Sequence, residues 1–202
     1  MDGTVHAEPL ACWLKELSGA HLKSEEEPHI VWTLPEQHPV AVTLGKSYSE
    51  AIIEVINRAK QELLIVSPFM QEQGMRHLTA ALVQALHRGV RVTIITHDAD
   101  DLASEQSVAV EEIRREAERL GRWVALYTVA MPKGSLLHAK VVVADREKAV
   151  VGSANLTGPG LEANLEVGVV LGPTQARQVS RIVGQLVEVS LVRKVFSRSL
   201  CE

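Results

Sequence analysis

From Ser47 onward, the apolar positions of this chain alternate between two rhythms. Ala51, Ile52, Val55, Ile56 and Ala59 recur at helical spacing behind Ser47 and Ser49, either of which suits an N-cap. Leu63-Leu64-Ile65-Val66 is an unbroken apolar run stopped by Ser67-Pro68, as in a strand covered on both faces. A second helical pattern runs from Met75 to His87, with Leu78, Leu82, Ala85 and Leu86 on its apolar side and Gly89 as its stop. Val90 to Thr96 predicts a strand, Glu105 to Leu120 a helix closed by Gly121, and Trp123 to Thr128 a strand. The rhythm then changes. Leu136 to Ala144 and Ala149 to Val151 flank Asp145-Arg146-Glu147-Lys148, which predicts a hairpin. Val167 to Leu171 is a further strand, and Gln175 to Val189 a closing helix.

Alternating strands and helices followed by a hairpin predict the α/β class, a mixed β-sheet flanked by helices on both faces. Residues 1–45 are less regular. Ser24-Glu25-Glu26-Glu27-Pro28 breaks the pattern before the short apolar piece Ile30-Val31-Trp32. This part reads as an N-terminal extension with one helix and one strand, ahead of a single domain over 46–202. No internal repeat or low-complexity stretch occurs.

Bulk properties narrow the function. With 202 residues, one α/β domain with a full core leaves little chain for a second. The formal charge, 21 − 25 = −4, argues against a protein that coats nucleic acid. It leaves room for a local basic cleft that holds phosphate. Cys12 and Cys201 are too few for a disulfide framework and read as thiols. The start MDGTVHAEPLACWL lacks the charge and apolar run of a signal peptide, and no apolar stretch nears the roughly 18 residues of a membrane span. A cytoplasmic protein is expected.

The chemistry concentrates in one stretch. His138-Ala139-Lys140 is followed by four residues, Asp145, six residues, and Gly152-Ser153-Ala154-Asn155. On a strand, His138 and Lys140 at i and i+2 would project to one side. An imidazole beside an ammonium suits a phosphodiester, supplying a nucleophile or acid–base group and a cation for the non-bridging oxygens. Gly152 permits a close turn, after which Ser153 and Asn155 can donate to the same phosphate.

HxKxxxxD, six residues and GSxN form the signature that this chain shares with the phospholipase D superfamily, which it resembles over residues 45 to 195 at every motif position. The resemblance implies the phospholipase D-like fold. It also implies that an acidic residue about ten positions on orients the histidine, a place filled here by Glu166. Asp145 is implied to support the site more than to touch phosphate. The expected catalytic group is thus His138, Lys140, Asp145, Asn155 and Glu166, with Gly152, Ser153 and Lys133 on the substrate. No metal or other cofactor is expected.

In-line displacement at phosphorus needs a nucleophile on one side and a proton donor on the other, and long-chain members of the family carry two motifs. This chain carries one. His21 with Lys23 also has the i, i+2 spacing but lacks the Asp and GSxN, and SEEEP follows it. The resemblance is therefore to the family's single-motif bacterial nucleases, and a homodimer with its active site on the twofold axis is expected. One His138 would form a phosphohistidine while the other protonates the leaving oxygen.

Other candidates are weaker. His97-Asp98-Ala99-Asp100-Asp101 could suggest a metal site, but acids after a strand usually serve turns and caps. That loop and Ser67-Pro68-Phe69-Met70 are expected to rim the cleft, with Phe69 packing rather than stacking on a base. Lys133, Arg193, Lys194 and Arg198 are candidate phosphate contacts beside the cleft mouth. Seven aromatic residues without interleaved basic ones predict phosphate recognition without base specificity. A nuclease for DNA or RNA leads. A lipid phosphodiesterase is a second enzyme reading, and a nucleic-acid-binding subunit with little catalysis is a reading of another class. The VWTLPE segment, the helix after it and SANLTG resemble, less specifically, the phospholipase-D-like component of DISARM anti-phage defence systems. That likeness implies partner proteins.

Overall fold

The computed structural model describes residues 27–35 and 46–197. Cys12, Cys201, His21 and Arg198, together with most of the expected N-terminal extension, lie outside the described residues.

Eight strands make one mixed sheet: β1 (His29–Thr33), β2 (Glu62–Val66), β3 (Arg91–Thr96), β4 (Val124–Val129), β5 (Lys140–Ala144), β6 (Lys148–Gly152), β7 (Glu166–Leu171) and β8 (Val192–Ser197). Their order across the sheet is β1-β7-β6-β5-β2-β3-β4-β8. The helices are α1 (Tyr48–Arg58), α2 (Glu72–His87), α3 (Glu105–Leu120) and α4 (Pro173–Glu188), with a π-helical turn at Pro159–Ala163. β2, β3 and β4 run parallel, linked by α2 and α3, and the remaining neighbours are antiparallel.

Local chemistry places the elements. Ser47 caps α1 through a reciprocal capping box with Glu50, and Gly121 ends α3 in the left-handed conformation. The β5–β6 hairpin turns through Asp145 and Arg146, both at positive φ, with Glu147 N–H donating to Ala144 O. Two successive positive φ values make this a type I′ turn, whose twist matches that of the flanking strands.

Alternate strand residues feed two cores. Ile65, Ile94, Leu126, Val142, Val150 and Val170 face α1, α2 and α3. Val66, Ile95, Val141, Val143 and Ala149 face α4. Helices thus cover both faces, as the sequence pattern predicts. Three details differ from that reading. Residues 29–33, placed in the extension, are β1, an edge strand of the same sheet paired with β7, so the sheet begins before residue 46. Residues 192–197, read only as a basic terminus, are β8, the other edge. Finally, β5 starts at Lys140 rather than at Leu136, which leaves His138 on the loop before it.

Strand directions decide what comes together. One edge of the sheet gathers the C-terminal ends of β1, β2, β3, β4 and β6 with the N-terminal ends of β5, β7 and β8. His138, Lys140, Gly152–Asn155, Glu166, Ser67 and His97 all lie at that edge.

Candidate active site

His138 is exposed, whereas Lys140 is only 5% accessible, and the Lys140 ammonium donates back to the His138 carbonyl at 2.8 Å. The lysine therefore fixes the backbone beneath the imidazole, not merely the charge beside it. Burial lowers the Lys140 pKa and the nearby Glu166 carboxylate opposes that shift.

Lys140, Gly152, Gly168 and Val31 form one cross-strand row over β5, β6, β7 and β1. The two adjacent glycines leave a trough, and Tyr48 of α1 fills it. A Cβ on Gly152 would stand 2.4 Å from Val167 O and 2.5 Å from the Tyr48 hydroxyl, and one on Gly168 would stand 2.4 Å from the Tyr48 ring. Both are closer than real atoms approach, so glycine is required. The Tyr48 hydroxyl receives the Ala154 N–H, inside the GSxN turn, and its pKa is raised by burial and by Glu166. It stays a phenol.

Glu166 begins β7 on the same face, two residues before Gly168. Its carboxylate receives the Ser153 hydroxyl at 2.5 Å and the Asn164 amide at 3.1 Å. Among the described residues no hydrogen bond joins Glu166 to the His138 imidazole, so Glu166 holds the Ser153 turn in this arrangement. Ser153 also accepts from Val167 N–H at 3.1 Å. Asn155 is half-buried, and its Oδ1 is buried without a partner among the described residues. That amide oxygen can only accept, so a group that satisfied it would have to be a donor.

Two loops brace this edge. Ser67, fully buried, donates to Phe69 O and accepts from Leu156 N–H, tying the β2–α2 loop to the segment after Asn155. His97 Nε2 lies 3.1 Å from Leu137 O, and its ring stacks on Phe69 with centroids 5.9 Å apart. His97 thereby ties the end of β3 to the residue preceding His138. Lys133 is exposed on the same loop as His138. The sequence placed Ser67 and His97 on loops expected to rim the cleft, without giving either a role, and did not single out Tyr48. Their roles come from contacts across 28 to 120 positions of chain, and no local motif marks them.

Asp145 does not join this group. It follows β5, at the opposite edge of the sheet from His138, and its carboxylate receives the N–H groups of Lys60, Gln61 and Glu62, each at 2.8 Å. Its place in the catalytic set is corrected: it clamps the start of β2 against β5. Arg193 is tied to Asp100 at 2.6 Å, Asp100 also accepts from Thr128, and Lys194 lies over the Tyr127 ring. Asp101 accepts from Ala103 N–H. Asp100 and Asp101 thus have structural partners, Asp101 in a turn as expected and Asp100 through side chains of β4 and β8 instead.

The eight-stranded mixed sheet with helices on both faces is that of a phospholipase D-like domain. The family described as "Cardiolipin synthase, PLD-like domain" matches residues 52–186, and the chain belongs to it. It is 31% identical over 170 residues to the DISARM protein DrmC of Bacillus paralicheniformis, covering 82% of this chain and 65% of that protein. It is 36% identical over 119 residues to cardiolipin synthase A of Pseudomonas aeruginosa, covering 58% of this chain and 22% of that enzyme. The chain thus spans just under two thirds of the first relative and about a fifth of the second. Among solved structures it is similar to Nuc, a phospholipase D family member from Salmonella typhimurium, with TM-score 0.58 and 22% identity over 86% of this chain and all of Nuc. NucT from Helicobacter pylori gives TM-score 0.54 and 20% identity over 80% of this chain and 97% of NucT. At that identity the likeness is one of fold. No described helix is long and apolar enough to cross a membrane.

Proposed function

We propose that the protein is a phosphodiesterase that cleaves DNA or RNA, with an active site completed by a second copy of the chain. The observation that carries this reading is the exposed His138, whose carbonyl receives the buried Lys140 ammonium, at the end of the sheet where Lys140 pairs with Gly152 at the start of the GSxN turn. Nε2 of one His138 attacks phosphorus, a P–N bond forms, and the P–O bond to the leaving group breaks. His138 of the partner subunit delivers a proton to the departing oxygen, then takes one from the water that attacks the phosphohistidine and frees the first ring. Lys140 and Asn155 stabilise the charge on the five-coordinate phosphorus. No step calls on a metal, so activity should persist in EDTA.

One chain supplies one such histidine. Exposed Leu136 and Leu165 lie beside the site, at 55% and 67% accessibility, and would be covered by a facing copy. The test is turnover of labelled single- and double-stranded DNA and RNA by the wild type and His138→Ala. Loss of all cleavage in the variant is expected, and full activity would overturn the mechanism. The identity with DrmC favours a second reading, a nucleic-acid-binding subunit of an anti-phage assembly. Binding of the same probes without cleavage by the wild type would select it.

A further inference from the structure

Phe69 was expected to pack away, yet it remains 41% exposed. It stands at the site edge of the sheet, in the loop after β2. Its position is set from several directions. Its carbonyl receives the buried Ser67 hydroxyl at 2.7 Å, and the neighbouring Pro68 carbonyl receives the Thr96 hydroxyl at 3.2 Å and the His97 N–H at 3.3 Å. The next residue, Met70, is fully buried and bridges Leu156. The ring stacks on His97 at an interplanar angle of 29°, and His97 in turn contacts the carbonyl of Leu137, next to His138. A half-exposed aromatic ring is thereby held two contacts from the proposed nucleophile.

Resting on the nuclease reading, we infer that Phe69, backed by His97, is a stacking platform for a nucleobase flanking the scissile phosphate, and that the substrate is single-stranded. A planar base continues an aromatic stack, and every base has a π-face, so such a platform adds affinity without sequence preference. In a duplex, neighbouring base pairs already cover both faces of each base, and stacking on Phe69 would require one to be turned out. A lipid substrate offers no planar group to this ring.

The experiment compares a fluorescent single-stranded DNA oligonucleotide with the same backbone carrying abasic residues. Binding by anisotropy and cleavage are both read for the wild type, Phe69→Ala, Phe69→Leu and Phe69→Trp. The wild type should prefer the base-bearing strand by on the order of tenfold, in Kd and in kcat/KM. Phe69→Ala and Phe69→Leu should abolish that preference, and Phe69→Trp should keep it. Phe69→Leu retains an apolar side chain, so the outcome does not depend on the alanine variant folding. A preference unchanged in Phe69→Leu overturns the platform while leaving the nuclease reading intact. So does a loss of subunit association in the Phe69 variants at equal discrimination, which would assign the ring to the interface between copies. Vesicles of phosphatidylglycerol bound by the wild type and released by Phe69→Leu, with oligonucleotide binding unaffected, would assign it to lipid. If the wild type neither binds nor cuts either strand, the nuclease reading falls and the platform with it.

Discussion

In the proposed mechanism, Lys140 serves both fold and chemistry. An ammonium at 5% exposure loses hydration, which lowers its pKa, and the Glu166 carboxylate partly restores it. Between the depressed folded value and the ordinary lysine value of about 10.4, the unfolded chain holds the proton more tightly, so stability rises with pH through that window. Activity moves the other way, because phosphate needs the charged form. Replacing Glu166 with Gln removes the opposing charge, and the alkaline limb of the kcat/KM profile should shift to lower pH. An unmoved limb would show that Lys140 does not set it. Lys140→Ala should cut turnover by on the order of 10²–10³, by analogy with loss of one oxyanion donor. Tyr48 is the other residue whose size and hydroxyl are both used. Tyr48→Phe leaves the Ala154 N–H without its acceptor, and an unfolding titration should show a loss of about 1–3 kcal/mol.

Among the elements, the β5–β6 hairpin divides the motif between opposite ends of one strand. Its turn carries Asp145, whose carboxylate gathers three backbone N–H groups at the start of β2. Hydrogen bonds to a charged group contribute about 1.5–3 kcal/mol, and neighbouring ones sharing an acceptor are not additive. Asp145→Ala should therefore lower unfolding stability by roughly 2–4 kcal/mol on that scale. Below its unfolding transition it should keep a KM near the wild-type value. A raised KM at full folding would return Asp145 to the substrate. Of these elements, α3 was legible to the residue, because Ser104, the helical spacing and Gly121 all act locally. The start of β5 was not legible. Leu136 to Ala139 continue the apolar run, but they lack ladder partners because β6 ends at Gly152, opposite Lys140.

For the whole molecule, the expected dimer makes a quantitative prediction. If each site needs two His138 rings, mixing exchanged wild-type and His138→Ala subunits should lower activity as the square of the wild-type fraction. A linear fall, measured by steady-state cleavage against composition, would mean that each chain works alone. Leu136, Leu165 and Val167 are exposed beside the site, and charging one of them should weaken association and activity together. Leu165→Asp, followed by sedimentation and cleavage across concentration, checks this. Full activity from a monomeric variant would remove the shared site.

By itself the sequence determined the α/β alternation, the HxKxxxxD and GSxN spacing, and the family. These depend on periodicity and on spacing within a few dozen residues. Only the tertiary structure decided that β1 and β8 close the sheet, that Asp145 stands at the far edge, and that Tyr48, Ser67 and His97 support the site. Strand order and direction set each of those outcomes. Antiparallel β5 and β6 carry one end of the motif toward the site and its middle away from it. The contacts that brace the site link distant segments whose local sequence does not record their neighbours.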